Sequence, residues 1–215
     1  MTITNQGIRS VAVYCSASDL VHESFARSAR ELGEWLATSG RELIYGGGRV
    51  GLMGHTARAC REAGGYTIGI ITRRLAQLEQ LDPDSNEMTV VETMRQRKAL
   101  IEARADAMVV LPGGIGTLEE FFEILVGRIL GEHDKPIYLL NLPDPGDRKG
   151  GRYFDPLLAM FDHMIAGRFA RPSTMETFQV CESVPDLIGA LDAWVPRPRS
   201  PEVRPAAEPF GAVQG

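Results

Sequence analysis

The residue types best suited to chemistry in this sequence lie in two glycine-rich stretches. One is Gly46-Gly47-Gly48-Arg49-Val50-Gly51-Leu52-Met53-Gly54, and the other is Pro112-Gly113-Gly114-Ile115-Gly116-Thr117-Leu118-Glu119-Glu120. Each follows a short apolar run and precedes a helical pattern, so each reads as a strand-to-helix turn. Glycines let backbone N–H groups approach a ligand closely, and N–H groups at a helix start form a concave anion site aided by the helix dipole. A phosphate is the natural guest. One such turn is often a mere tight connection; two, with the Thr117 hydroxyl in the second, point to a ligand.

Charged residues accompany the turns. Met94, Arg97, Lys98 and Ile101 follow helical spacing, which predicts one helix face carrying two cations beside apolar residues. Buried there, the cations need a protein carboxylate or a bound phosphate. Glu119 and Glu120 are expected in the first turn of a helix opening at Gly116, with Glu120 beside Thr117 and Glu119 acting mainly as a dipole cap. An anion-binding turn with a carboxylate one helical turn away suggests a phosphorylated substrate whose reacting carbon meets that carboxylate.

Other phosphate chemistries fit less well. The G-x-x-x-x-G-K-[ST] pattern is absent, so nucleotide triphosphate hydrolysis has no support. Gly46, Gly48 and Gly51 do fit G-x-G-x-x-G, but the next strand ends at Thr72-Arg73-Arg74 where an acid would hold a ribose, leaving NADP as a minor alternative.

The elements that must position these residues alternate regularly. Strands are expected at residues 9–15, 42–45, 66–72, 88–91, 107–111, 136–140 and 178–180. Helices are expected from about 25 to 40, 51–63, 94–104, 116–130, 155–165 and 184–194. Strands that are apolar on both faces and alternate with helices imply a Rossmann-like, doubly wound, mostly parallel α/β sheet with helices on both faces. Residues 1–195 read as a single domain, and 196–215, with five prolines and little to bury, as a disordered extension.

On these motifs the sequence resembles the LOG ("Lonely Guy") family of cytokinin-activating phosphoribohydrolases, long labelled possible lysine decarboxylases. The resemblance rests on the first glycine stretch, Met94-x-x-Arg97-Lys98, and Pro112-Gly113-Gly114-x-Gly116-Thr117-x-x-Glu120. It implies hydrolysis of the N-glycosidic bond of a nucleoside 5′-monophosphate, with an N6-modified adenine nucleotide or AMP as substrate. It also implies a homodimer or larger assembly and no metal or organic cofactor. By motif, Arg97 and Glu120 would be the catalytic pair. Glu87, Lys98 and the turn Gly113, Gly114, Ile115, Gly116, Thr117, Leu118 and Glu119 would bind substrate, with Gly46, Gly47, Gly48 and Met53 from the first stretch.

Departures from the family pattern fall near the base. Arg95 stands where His is common, and Val126-Gly127 where Thr-Trp is common; residues 143–152 form a longer, more polar link. A non-catalytic nucleotide-binding protein of the same fold is the main alternative. The decarboxylase label finds little support, because Lys98 is the only lysine of three in a plausible site.

Composition sets the outer bounds. With 23 basic and 28 acidic residues the net charge is −5, which gives no bulk attraction to nucleic acid or anionic lipid. No apolar run approaches the ~18 residues of a membrane helix. Cys15, Cys60 and Cys181 lack zinc or disulfide spacing, so reduced thiols in a cytoplasmic protein are expected. His22, His55, His133 and His163 form no recognisable constellation.

Overall fold

The computed structural model describes residues 7–195, so the expected extension at 196–215 lies outside the described residues. The elements run β1 (Ser10–Tyr14), α1 (Glu23–Thr38), β2 (Glu42–Tyr45), α2 (Gly51–Glu62), β3 (Thr67–Thr72), α3 (Arg73–Leu75), β4 (Glu87–Val91), α4 (Met94–Arg104), β5 (Ala107–Val110), α5 (Ile115–Leu130), β6 (Ile137–Leu140), α6 (Asp155–Ala166), β7 (Gln179–Cys181) and α7 (Val184–Ala193). The one-turn α3 runs into a π-helical segment, Ala76–Gln80, ahead of β4; a 3-10 turn, Pro172–Glu176, precedes β7.

Among the described residues all seven strands are parallel, in the order β4-β3-β2-β1-β5-β6-β7. The chain winds outward one way from β1 to β4, then crosses back to β5 on the other side of β1. That reversal makes a crevice at the carboxyl ends of β1 and β5, where open α/β sheets bind ligands.

Two apolar layers fill the faces, as period-2 strands buried on both sides require. On one face Val11, Val13, Leu43, Tyr45 and Val109 meet Leu32 and Leu36 of α1, Leu52 of α2 and Leu187 of α7. On the other, Ala12, Ile44, Ile70, Met108 and Val110 meet Ile101 of α4, Phe121 and Ile124 of α5, and Phe161 of α6. The candidate catalytic helices α4 and α5 therefore share one face.

Local signals place both helices. Thr93 and Gln96 form a capping box on α4: Gln96 N donates to Thr93 Oγ1 at 3.2 Å, and Thr93 N donates to Gln96 Oε1 at 3.0 Å. This fixes the turn that presents Arg97. Helix α5 starts one residue earlier than expected, at Ile115, with Gly114 as its N-cap, and ends at Gly131 in the left-handed conformation.

Candidate active site

Arg97 is the best-anchored charged side chain of the crevice. It is 7% exposed, and its three nitrogens each find an acceptor: Nε donates to Ile70 O at 3.0 Å, Nη2 to Gly46 O at 3.2 Å and Nη1 to Glu120 Oε1 at 3.4 Å. The predicted stripe on α4 is thus only half inward: Arg97 and Ile101 are buried, Lys98 is partly covered and Met94 is exposed. Satisfying the guanidinium on two carbonyls and a carboxylate removes the several kcal/mol that an unpaired buried charge would cost.

The first glycine stretch serves this arginine. A Cβ at Gly46 would lie 1.8 Å from Arg97 Nη2, so only glycine leaves room for the guanidinium. Gly46, Gly47 and Gly48 are all buried. Residues 80–82 lie across them: Arg49 N donates to Gln80 O, Asp82 N donates to Gly47 O, and Gly48 bridges to Leu81. Met53 folds its thioether against the same turn, where a Cβ at Gly48 would meet its methyl group at 2.5 Å. This covering leaves the turn less open than a surface phosphate cradle, and its glycines seat Arg97. Arg73, the expected partner of an NADP phosphate, pairs with Glu92 on the surface.

The second glycine stretch is open. Gly114, Ile115 and Gly116 are exposed, while Gly113 and Thr117 are buried beneath them. The first hydrogen bond of α5 runs from Leu118 N to Gly114 O, so the N–H groups of Ile115, Gly116 and Thr117 have no acceptor within the helix. Thr117 packs over Gly113, where a Cβ would fall 2.1 Å from its hydroxyl oxygen. Free N–H groups at the positive end of a four-turn helix are suited to an anion.

Because α5 opens at Ile115, Glu119 and Glu120 lie in its second turn, correcting their expected first-turn position. Glu120 side chain is 12% exposed. Burial pushes its carboxyl up to about 7, against the opposing pull of Arg97, with Glu119 and Glu123 adding to the rise. Burial wins because the Arg97 contact is long and single. A carboxyl poised near neutrality can exchange protons or carry charge as the reaction asks.

Glu119 does not act as a cap: it pairs with Lys98, which also binds Glu123 at 2.8 Å. Burial alone would lower the Lys98 pKa, but its hydrogen bonds to Glu119 and Glu123 outweigh that and raise it. A lysine held this firmly as an ammonium is poorly suited to Schiff-base chemistry, which needs the free amine. Lys98 thus ties α4 to α5 beside the Arg97–Glu120 pair.

Glu87 stands apart from the others. It begins β4, pairs in register with Ile68 and binds Arg104, the last residue of α4. That is the amino-terminal edge of the sheet, away from the carboxyl ends of β1 and β5, and the Arg104 contact ties strand to helix there. Two residues escaped the sequence reading. Tyr14 ends β1, and its phenol is held protonated by burial reinforced by Glu120. Tyr153 donates its hydroxyl to Gly113 O at 2.7 Å. Tyr14 could have been found as the last residue of a strand beside the reversal point; Tyr153, 40 residues from its partner, had no local signal. No group of three or more His, Cys, Asp or Glu side chains among the described residues is arranged to hold a metal.

Known proteins share this sequence pattern and fold. Residues 53–191 match the family described as possible lysine decarboxylase. The chain is 40% identical, over 84% of its length and 92% of the relative's, to a cytokinin riboside 5′-monophosphate phosphoribohydrolase of Mycobacterium tuberculosis. The chain belongs to the LOG family. A second relative of that name, from Rhodococcoides fascians, is 38% identical over 85% of this chain and 89% of its own. The LOG fold extends further: a molybdenum cofactor binding protein from Rippkaea orientalis superposes with a TM-score of 0.64 at 20% identity, over 87% of this chain and 97% of that one. At that identity the likeness concerns the fold alone.

Proposed function

We propose that this LOG-family chain hydrolyses the N-glycosidic bond of a nucleoside 5′-monophosphate, releasing the free base and ribose 5-phosphate. The observation that carries the reading is the placement of Glu120, buried with a carboxyl near pKa 7, one helical turn beyond an open anion-binding turn. A 5′-phosphate on the N–H groups of residues 113–117 fixes the sugar over α5.

Cleavage of a ribosyl C–N bond develops positive charge on the sugar, as in glycoside hydrolysis. In its ionised form Glu120 stabilises that charge and accepts a proton from the attacking water. Arg97, already bound to two carbonyls, touches Glu120 through one long contact and favours its ionised form. The relatives' names make a cytokinin riboside monophosphate the first substrate to test, with AMP beside it.

Incubation of the purified protein with AMP and isopentenyl-AMP, followed by chromatography for the free base, tests the reading. Release of adenine or isopentenyladenine supports it; intact nucleotide after prolonged incubation refutes it. A second reading, nucleotide binding without turnover, draws on Val126 and Gly127, which replace the family's common Thr-Trp pair; binding of both nucleotides without release would favour it.

The outward side of α5 keeps Val126, Ile129 and Leu130 exposed, and Met94 is exposed at the start of α4. These apolar residues support a homodimer through the α4–α5 face. No helix among the described residues is long and apolar enough to cross a membrane. Cys15, Cys60 and Cys181 are free thiols, which supports a cytoplasmic setting.

A further inference from the structure

We propose that Tyr153 is a positioning residue for the anion-binding turn: its hydroxyl holds the Gly113–Gly114 peptide in the one orientation that aims consecutive N–H groups at the phosphate. The inference rests on the nucleotide reading above and assigns a residue outside both glycine stretches to it.

Three successive carbonyls of the turn are anchored on the protein side. Pro112 O accepts from Ser16 N at 3.1 Å, Gly113 O accepts from Tyr153 Oη at 2.7 Å, and Gly114 O accepts from Leu118 N at 3.0 Å. No peptide bond among the described residues is cis. In a planar trans peptide the N–H points opposite to the carbonyl that precedes it. The N–H groups of Gly113, Gly114 and Ile115 therefore face away from Ser16, Tyr153 and the helix. The unmatched N–H groups of Gly116 and Thr117 follow them.

The middle anchor matters most. The peptide between Gly113 and Gly114 has no Cβ on either side, so it can rotate at little steric cost. Rotation would replace an N–H donor with a carbonyl oxygen facing the phosphate. Ser16 and Leu118 hold the flanking peptides with backbone donors, whereas the central one depends on a side chain.

Tyr153 is built for that duty. Its ring meets Phe25 edge-on at 5.6 Å and Phe154 at 5.0 Å. Its backbone N donates to Leu142 O at 2.9 Å. The next residue is pinned by Asn141, 2% exposed, which accepts from Phe154 N at 2.7 Å and donates to Asp155 Oδ1 at 2.8 Å. Burial, with Asp144 adding to it, raises the Tyr153 pKa, so the phenol remains a donor.

The test is Tyr153→Phe, which keeps the ring contacts and deletes only the hydroxyl. Calorimetric binding of ribose 5-phosphate, Michaelis parameters for AMP and the inhibition constant of adenosine are measured on wild type and variant, with a thermal melt to confirm folding. The expected result is a roughly tenfold or greater weakening of ribose 5-phosphate binding and a similar rise in KM for AMP. kcat should stay within about threefold, and the adenosine constant, which involves no phosphate, should not move. A folded variant that binds ribose 5-phosphate within about twofold of wild type overturns the assignment of Tyr153 alone. Equal losses for AMP and adenosine also overturn it, as the mark of general loosening. Wild-type protein that neither binds ribose 5-phosphate nor cleaves AMP removes the nucleotide reading and this inference with it.

Discussion

Arg97 meets Glu120 through a single contact, Nη1 to Oε1 at 3.4 Å, while its other two nitrogens are committed to the carbonyls of Ile70 and Gly46. The arginine is therefore fixed by the backbone of β3 and of the first glycine turn. The carboxylate is held loosely enough that burial governs its protonation. A short bidentate pair would have kept Glu120 ionised well below neutrality.

The pH dependence of turnover follows from this. The ionised carboxylate stabilises the cationic sugar, so kcat for AMP should rise with pH through an apparent pKa of about 7. Replacing Arg97 with Gln removes the attraction that opposes burial and should move that limb about one unit to higher pH. A pH–rate profile of both proteins checks the expectation; a flat profile between pH 5 and 8 contradicts it.

Stability should respond to the same group. The folded-state pKa of Glu120 is raised above 4.5 to about 7, so the native state holds a proton that the unfolded chain releases. Its contribution is full below about pH 4.5 and is lost as pH rises through 7. Glu120→Gln, neutral at every pH, should stabilise the protein at pH 8 relative to pH 5, by on the order of 2 kcal/mol. Urea denaturation of both proteins at the two pH values measures the difference.

The glycines of the second turn separate folding from binding. Gly113→Ala places a Cβ 2.1 Å from Thr117 Oγ1 and 2.9 Å from Ser16 N, so both stability and activity should fall. At Gly116 a Cβ meets nothing within 4 Å, so Gly116→Ala should hold or raise the melting temperature, as Ala in place of a helical Gly is favourable by up to about 1 kcal/mol. Yet that methyl group projects from the ligand-facing turn, and KM for AMP should rise several-fold, about tenfold. Equal activity of Gly116→Ala and wild type would remove the turn from the site.

The covering of the first turn depends on Asp82. This carboxylate is 3% exposed and accepts from Tyr45 Oη at 2.8 Å, from Arg61 Nη1 at 2.8 Å and Nη2 at 3.2 Å, and from Asp84 N at 3.2 Å. Asp82→Ala leaves Arg61 without its counter-charge and releases the segment across Gly47. A loss of about 3–5 kcal/mol is expected, measured by chemical denaturation. A loss below about 1 kcal/mol would show that the network adds little to the fold.

Much of this was legible in the sequence because the signals were local. Uninterrupted apolar runs such as Val11 to Tyr14 announced buried parallel strands, and the helical spacing of Met94, Arg97, Lys98 and Ile101 announced α4. The second glycine turn was legible for the same reason. What escaped depends on partners distant in the chain. Gly46 to Gly48 looked like a phosphate cradle because sequence does not show residues 80–82 lying across them or Arg97 entering at Gly46. Glu119 looked like a cap because its partner Lys98 lies 21 residues away. Glu87 was placed by resemblance, and its position at the opposite sheet edge follows from a register that no single strand encodes. The Tyr153 hydroxyl crosses 40 residues to Gly113.

The claim on which all else depends is that the second turn holds a 5′-phosphate while Glu120 meets the anomeric carbon. A crystal structure of the Glu120→Gln protein with AMP measures this directly. The account predicts phosphate oxygens within hydrogen-bond reach of the N–H groups of residues 113–117 and the residue 120 side chain about 3–4 Å from C1′ of the ribose. A nucleotide bound elsewhere, or one whose phosphate occupies the turn with C1′ directed away from residue 120, would contradict it.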